Sequence, residues 1–139
     1  MTAKEFLKTY EYATRRIERI ETELEEQRVM IDAVRSVSDN DGMPHGNGIN
    51  KPTEARAVQL ADKTRELEQA RLDAVEARQR VFDVVDQIEG VPGDVLYLRY
   101  VQLKRWEEIC VDVHQSWRQT HRNHVEGLVR VSAILENMA

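Results

Sequence analysis

The sequence is short of the residues that break helices and of the residue that cross-links chains. It has one cysteine, three prolines and six glycines in 139 residues. A single cysteine excludes an internal disulfide framework. The prolines and most glycines gather at 38–52 and 89–94, which leaves long stretches free to be helical. No apolar run approaches the ~20 residues that span a bilayer. The opening "MTAKEFLKTYEYATRR" lacks the apolar core of a signal peptide. A cytoplasmic protein with no membrane partner is therefore expected. The length suits one ordinary domain or two small modules.

The formal net charge is −5, which argues against a generally basic nucleic-acid binder. Its distribution says more. Residues 1–90 carry 14 basic and 19 acidic side chains, whereas 91–139 carry 6 of each. Positions 114–124 hold two arginines, three histidines and no acid. One locally positive stretch sits on an acidic chain, so any affinity of a single copy for phosphates should be modest.

Residues 2–37 read as one helix. Apolar or small residues recur at Phe6, Tyr10, Ala13, Ile17, Ile20, Leu24, Ile31 and Val34, a heptad spacing with Gln27 filling one place. Such a helix is ~50 Å long and its narrow stripe needs a partner. "SDNDGMPHGNGINKP", 38–52, reads as a loop. It lacks the Lys-Ser/Thr ending of a phosphate-cradling loop. A second helix is expected from Thr53, with its seam through Ala57, Leu60, Thr64, Leu67, Arg71, Ala74, Arg78, Val81, Val85 and Ile88. Leu72, Val75 and Phe82 lie beside that seam. The simplest arrangement is a long antiparallel coiled-coil hairpin over 1–90. The arginines on its second seam leave apolar surface under-covered, which points to a homodimer through seam positions such as Phe6, Tyr10, Ile17, Ile20, Leu24, Leu60, Leu67, Val81 and Val85.

"EGVPGD", 89–94, reads as the module boundary, with Gly90 closing the second helix. Three shorter helices are expected at 94–101, 105–113 and 116–136, with Asp94 and Ser116 as N-caps. The corner His114-Gln115-Ser116 has helix-turn-helix spacing. Ile109 and Val113 face inward, Cys110 takes a tight crossing point, and Leu128, Val131 and Leu135 continue an inward stripe. Val95, Leu96, Leu98 and Tyr100 form the apolar face of the preceding helix.

The segment "DVLYLRYVQLKRWEEICVDVHQSWRQTHRNHVEGLVRV" resembles region 4 of sigma-70 factors. It shares an acidic-V-L-x-L-R-Y run, a short link, an aromatic-E-E-I helix opening and a serine cap on the next helix. With the charged N-terminal half and the loop at 38–52, the chain resembles small phage and prophage proteins grouped with late-gene transcriptional regulators. The resemblance implies an all-α chain whose residues 91–139 form a helix-turn-helix binding double-stranded DNA, with host RNA polymerase as a further partner. The sequence departs from the sigma pattern at four places. His114 stands where glycine is usual, Gln115 where an apolar residue is usual, and Thr120 and Asn123 at two normally buried positions.

Docking of that type puts the start of helix 116–136 in the major groove. Ser116 caps it, and Trp117, Arg118, His121 and Arg122 face outward with Gln119 beside them. Arginine pairs with guanine and glutamine with adenine, and tryptophan meets a thymine methyl or sugar. Lys104 and Arg105 are the phosphate-contact candidates.

"CVDVHQSWRQTHRNH", 110–124, also gathers Cys110, His114, His121 and His124. Their spacings do not pair as zinc ligands do. Cys110 is expected inside a helix crossing and His124 among packed side chains. No metal, cofactor or enzymatic activity is expected, since a nucleophile needs exposure and a base within reach. Two other readings use the same features. One is a small terminase-like packaging or structural protein, which would form rings. The other is a polymerase-binding sigma mimic that does not read DNA.

Overall fold

The computed structural model describes residues 1–39 and 50–139, with side chains at 1–34 and 54–139. Every element among the described residues is helical. They are α1 (Ala3–Leu7), α2 (Thr9–Asp39), α3 (Asn50–Val85), α4 (Gly90–Leu96), α5 (Trp106–Asp112) and α6 (Trp117–Met138). A wide π-type turn over Tyr97–Val101 continues α4. No helix among the described residues is long and apolar enough to cross a membrane.

The helix expected over 2–37 is interrupted at Lys8. Thr2 opens α1 with a reciprocal cap. Its hydroxyl accepts from the Glu5 N–H at 3.2 Å, and the Glu5 carboxylate accepts from the Thr2 N–H at 3.0 Å. At the break the Thr9 hydroxyl donates to the Phe6 carbonyl at 2.7 Å, a local competitor to the helical ladder. The expected loop 38–52 is shorter at both ends, because α2 runs to Asp39 and α3 begins at Asn50. The rest of it, 40–49, lies outside the described residues.

The contacts divide the chain into two units, Met1–Thr14 with Asp73–Ala139, and Arg15–Leu72. The division expected at 90/91 is not where the contacts separate. In the first unit Ala3 and Leu7 of α1 share one core with Val81, Val84, Val85, Ile88, Leu96, Tyr100, Val101 and Val131. A fully buried valine or leucine contributes roughly 1.5–3 kcal/mol, so this shared core overrides the loop at 89–94 as a boundary. In the second unit Ile20, Leu24, Leu67 and Ala70 form a separate cluster with Ile17 and Leu60 against it. Ion pairs Lys63–Glu23 and Arg71–Glu21, at 2.5 and 3.2 Å, flank that cluster. The nine seam residues therefore split between two cores. Phe6, Tyr10, Val81 and Val85 belong to one, and Ile17, Ile20, Leu24, Leu60 and Leu67 to the other.

The seam of α3 also differs from expectation in its middle. Leu67, Ala70, Ala74, Ala77 and Val81 are buried, while Arg71 and Arg78 are exposed. Both tracks alternate steps of three and four, but only one keeps guanidinium groups in water. Leu72 and Val75 do not broaden the buried stripe, being 59% and 67% exposed.

The connection after α3 is a tight turn. Gln87 and Ile88 donate to the Val84 and Val85 carbonyls at 3.2 and 3.0 Å, three residues back. Gly90 then opens α4 with φ +79° instead of closing the previous helix, and the N-cap is Glu89, not Asp94. Pro92 falls in the first turn of α4, where its missing N–H costs nothing. The chain doubles back so closely that a Cβ at Gly93 would run into the Ile88 carbonyl oxygen. Gly93→Ala should therefore destabilise the chain by about 1–3 kcal/mol, because the clash is with backbone that cannot rotate away. Urea unfolding followed by far-UV dichroism measures the shift.

Candidate nucleic-acid interface

The candidate interface is built from α5, the residues after it and α6. Arg105 N-caps α5, and Glu107 and Glu108 sit in its positive first turn. Ile109 is fully buried and Val113 half-buried, as an inward face requires. The helix ends in a reciprocal pair of backbone bonds. The Gln115 N–H donates to the Cys110 carbonyl at 3.1 Å, and the His114 N–H to Val111 at 3.2 Å. This termination needs a left-handed residue between them, usually glycine. His114 fills that place with φ +55°. Cys110 is half-buried, not enclosed in a crossing as expected.

Ser116 caps α6, its hydroxyl accepting from the Gln119 N–H at 3.2 Å. The departures Gln115 and Asn123 answer one another. The Asn123 amide donates to Gln115 Oε1 at 2.6 Å and to the Gln119 carbonyl at 3.0 Å. A polar pair thus ties the corner to α6. Thr120 is fully buried, and its hydroxyl has no hydrogen-bond partner among the described residues. Further along, Gly127 lies against Leu96, so close that a Cβ would stand 2.8 Å from Leu96 Cδ1. That close approach seats α6 on α4.

Aromatic rings run through the site. The His121 ring lies 4.5 Å from both Trp106 and Trp117, filling the space between them. The Arg99 guanidinium covers Trp106 at 5.0 Å and donates to the Lys104 carbonyl at 3.0 Å. It holds the link that carries Leu103 at φ +57°. His121 is therefore half-buried, not fully outward, and its Nε2 has no partner among the described residues. Sequence reasoning missed Arg99 as a support of this surface. Its spacing of seven from Trp106, across a non-helical link, carries no periodic signal.

His124 lies one turn behind, buried against Trp106 at 4.8 Å and hydrogen-bonded through Nε2 to the Tyr100 hydroxyl at 2.7 Å. Burial, with His121, Lys4 and Arg99 nearby, pushes the His124 pKa down to about 4. Burial likewise pushes the Tyr100 phenol up to about 12. Both side chains are neutral near pH 7.

Trp117, Arg118, Gln119 and Arg122 are exposed together on the first turns of α6. Trp117, Arg118, His121, Arg122 and Val125 line one shallow open hollow. The other two candidates are differently placed. Lys104 pairs with Asp112 at 2.8 Å, which raises its pKa, and Arg105 lies 3.4 Å from Glu108. Their charge is partly met within the chain. No protein-family model, curated protein or solved structure matches this chain. Among the described residues no group of three or more Cys, His, Asp or Glu is placed to hold a metal ion.

Two outcomes are expected. Thr120→Val should stabilise the chain by about 1 kcal/mol, since an isosteric methyl replaces a buried hydroxyl without a partner; thermal unfolding reads this. The unfolded chain takes up a proton on His124 at an ordinary pKa of 6.5, the folded chain only at about 4. The stability that neutral His124 contributes is thus complete above pH 6.5 and is lost as pH falls toward 4. His124→Gln should flatten the pH dependence of the urea midpoint across that window.

Proposed function

We propose that α5, its corner and α6 act as a helix-turn-helix reading double-stranded DNA in a phage-type transcriptional regulator, with a sigma-region-4-like C-terminal segment. One observation carries the reading. The left-handed His114 corner and the Ser116 cap set α6 so that Trp117, Arg118, Gln119 and Arg122 emerge together at its N-terminal end. That is the end a recognition helix places against base edges. Arg118 and Arg122 are one turn apart, and each has the fork that fits guanine. Trp117, braced by His121, offers an apolar edge with little rotamer freedom left to lose. In the same proposal Arg15–Leu72 is an antiparallel coiled-coil hairpin. Its support is that Met30 and Ile31, late in α2, neighbour Arg56 and Gln59, early in α3.

A second reading has its own observation. The exposed face of α5 carries Glu107 and Glu108, and Asp112 and Glu108 engage Lys104 and Arg105. A first helix that crosses DNA phosphates is ordinarily basic, whereas this face suits a basic protein surface such as one on host RNA polymerase.

Footprinting on the genome that encodes the protein separates the two. Under the first reading a short sequence is protected, and Arg118→Ala or Arg122→Ala each weakens that site by about tenfold or more, for a loss of roughly 1–3 kcal/mol per base contact. Under the second, no sequence is protected at low salt, and polymerase is retained equally by both variants.

A further inference from the structure

The face of α3 turned away from its core has an order of its own. Val58, Ala61, Arg65, Glu68, Leu72 and Val75 follow one another in steps of three and four along a continuous helix. At 3.6 residues per turn this row lies opposite the buried stripe through Leu67, Ala70 and Ala74. All six side chains are exposed, with Val58 at 60% and Leu72 at 59%. Three of the six, Val58, Leu72 and Val75, are large apolar residues, which a solvated face has no need of and which a second helix lying along the first would cover.

The order of residues in the row says which helix that is. Counted outward from its midpoint between Arg65 and Glu68, the row reads basic and acidic, then small and large, then valine and valine. Turned end for end and laid on itself, it sets Arg65 against Glu68, Ala61 against Leu72 and Val58 against Val75. Each pairing is complementary, in charge at the centre and in volume outside it. A parallel pairing in the same register would instead put Arg65 on Arg65 and Glu68 on Glu68. The exposed Asp62–Arg65 contact at 3.4 Å competes little, because an open pair of this kind is worth almost nothing.

We propose that this face of α3 is a self-complementary surface on which a second copy of the chain docks antiparallel about a two-fold axis. A two-fold interface uses every residue twice, so Arg65 meets the partner's Glu68 and Glu68 meets the partner's Arg65. The six positions cover about five turns of helix, a small interface by the standard of permanent dimers, and association is reversible.

Sedimentation equilibrium of the full chain tests the surface through its charges. The unaltered chain dimerises, and Arg65→Glu or Glu68→Arg alone weakens dimerisation by about tenfold or more, since two attractive pairs become repulsive. The double variant Arg65→Glu, Glu68→Arg restores the two pairs with sign exchanged and regains the original association to within about threefold. All four chains keep the same far-UV dichroism, because the positions are on the surface. A chain that stays monomeric throughout overturns the proposal. So does a dimer indifferent to Arg65→Glu, which would join through another surface, or a double variant as weak as the singles. The DNA reading stands or falls separately, on Arg118 and Arg122.

Discussion

A hydrogen bond of 2.7 Å between the Tyr100 hydroxyl and His124 Nε2 is the polar contact about which the C-terminal core is organised. Both groups are buried, at 2% and 8% exposure, and each would be costly there without the other. The bond ties the π-type turn after α4 to the middle of α6, and the Trp106 ring packs on His124. Trp106 carries His121, and His121 carries Trp117. The presentation of the outer tryptophan thus depends, through three ring contacts and one hydrogen bond, on a tyrosine in the core. It depends also on His124 being neutral, which burial among positive neighbours secures near pH 7.

The corner between α5 and α6 shows how several unfavourable choices compensate. A left-handed histidine costs more than a glycine, but the two backbone bonds around it recover the ends of α5. Glutamine at the next position would weaken an apolar corner. Here it accepts a hydrogen bond from Asn123, itself at a position where a polar side chain would otherwise be a loss. Either residue alone would leave a poorly solvated amide; together they join the two helices. Thr120 is the exception, its methyl packed and its hydroxyl without a partner among the described residues.

The two sides of α3 illustrate a different constraint. A helix with a three-and-four alternation can bury either of two neighbouring tracks. The choice falls on Ala70 and Ala77, which admit close approach and leave Arg71 and Arg78 in water. The track on the opposite side carries Val58, Leu72 and Val75 without cover among the described residues.

Signals confined to one or two helical turns were legible in the residues alone. The Ser116 cap, the left-handed place at His114, the termini of α5 and α6 and the packing role of His124 all follow from the chemistry of a few adjacent positions. The all-helical class follows from where glycine and proline are absent. Features that compare distant segments were not legible. The seam of α3 was misplaced onto Arg71 and Arg78, because periodicity alone cannot rank two tracks. The turn at 89–94 looked like a module boundary, because local composition does not reveal that Ala3 and Leu7 share a core with Leu96 and Val131. Cys110 was expected to be enclosed, and His121 to face outward, until neighbouring helices set their surroundings. Sequence by itself determined the all-helical class, the Ser116 cap and the corner after α5, since those energies are local. Only the tertiary structure decided which surfaces are buried and which rings support Trp117, since burial is a property of segments brought together by the fold.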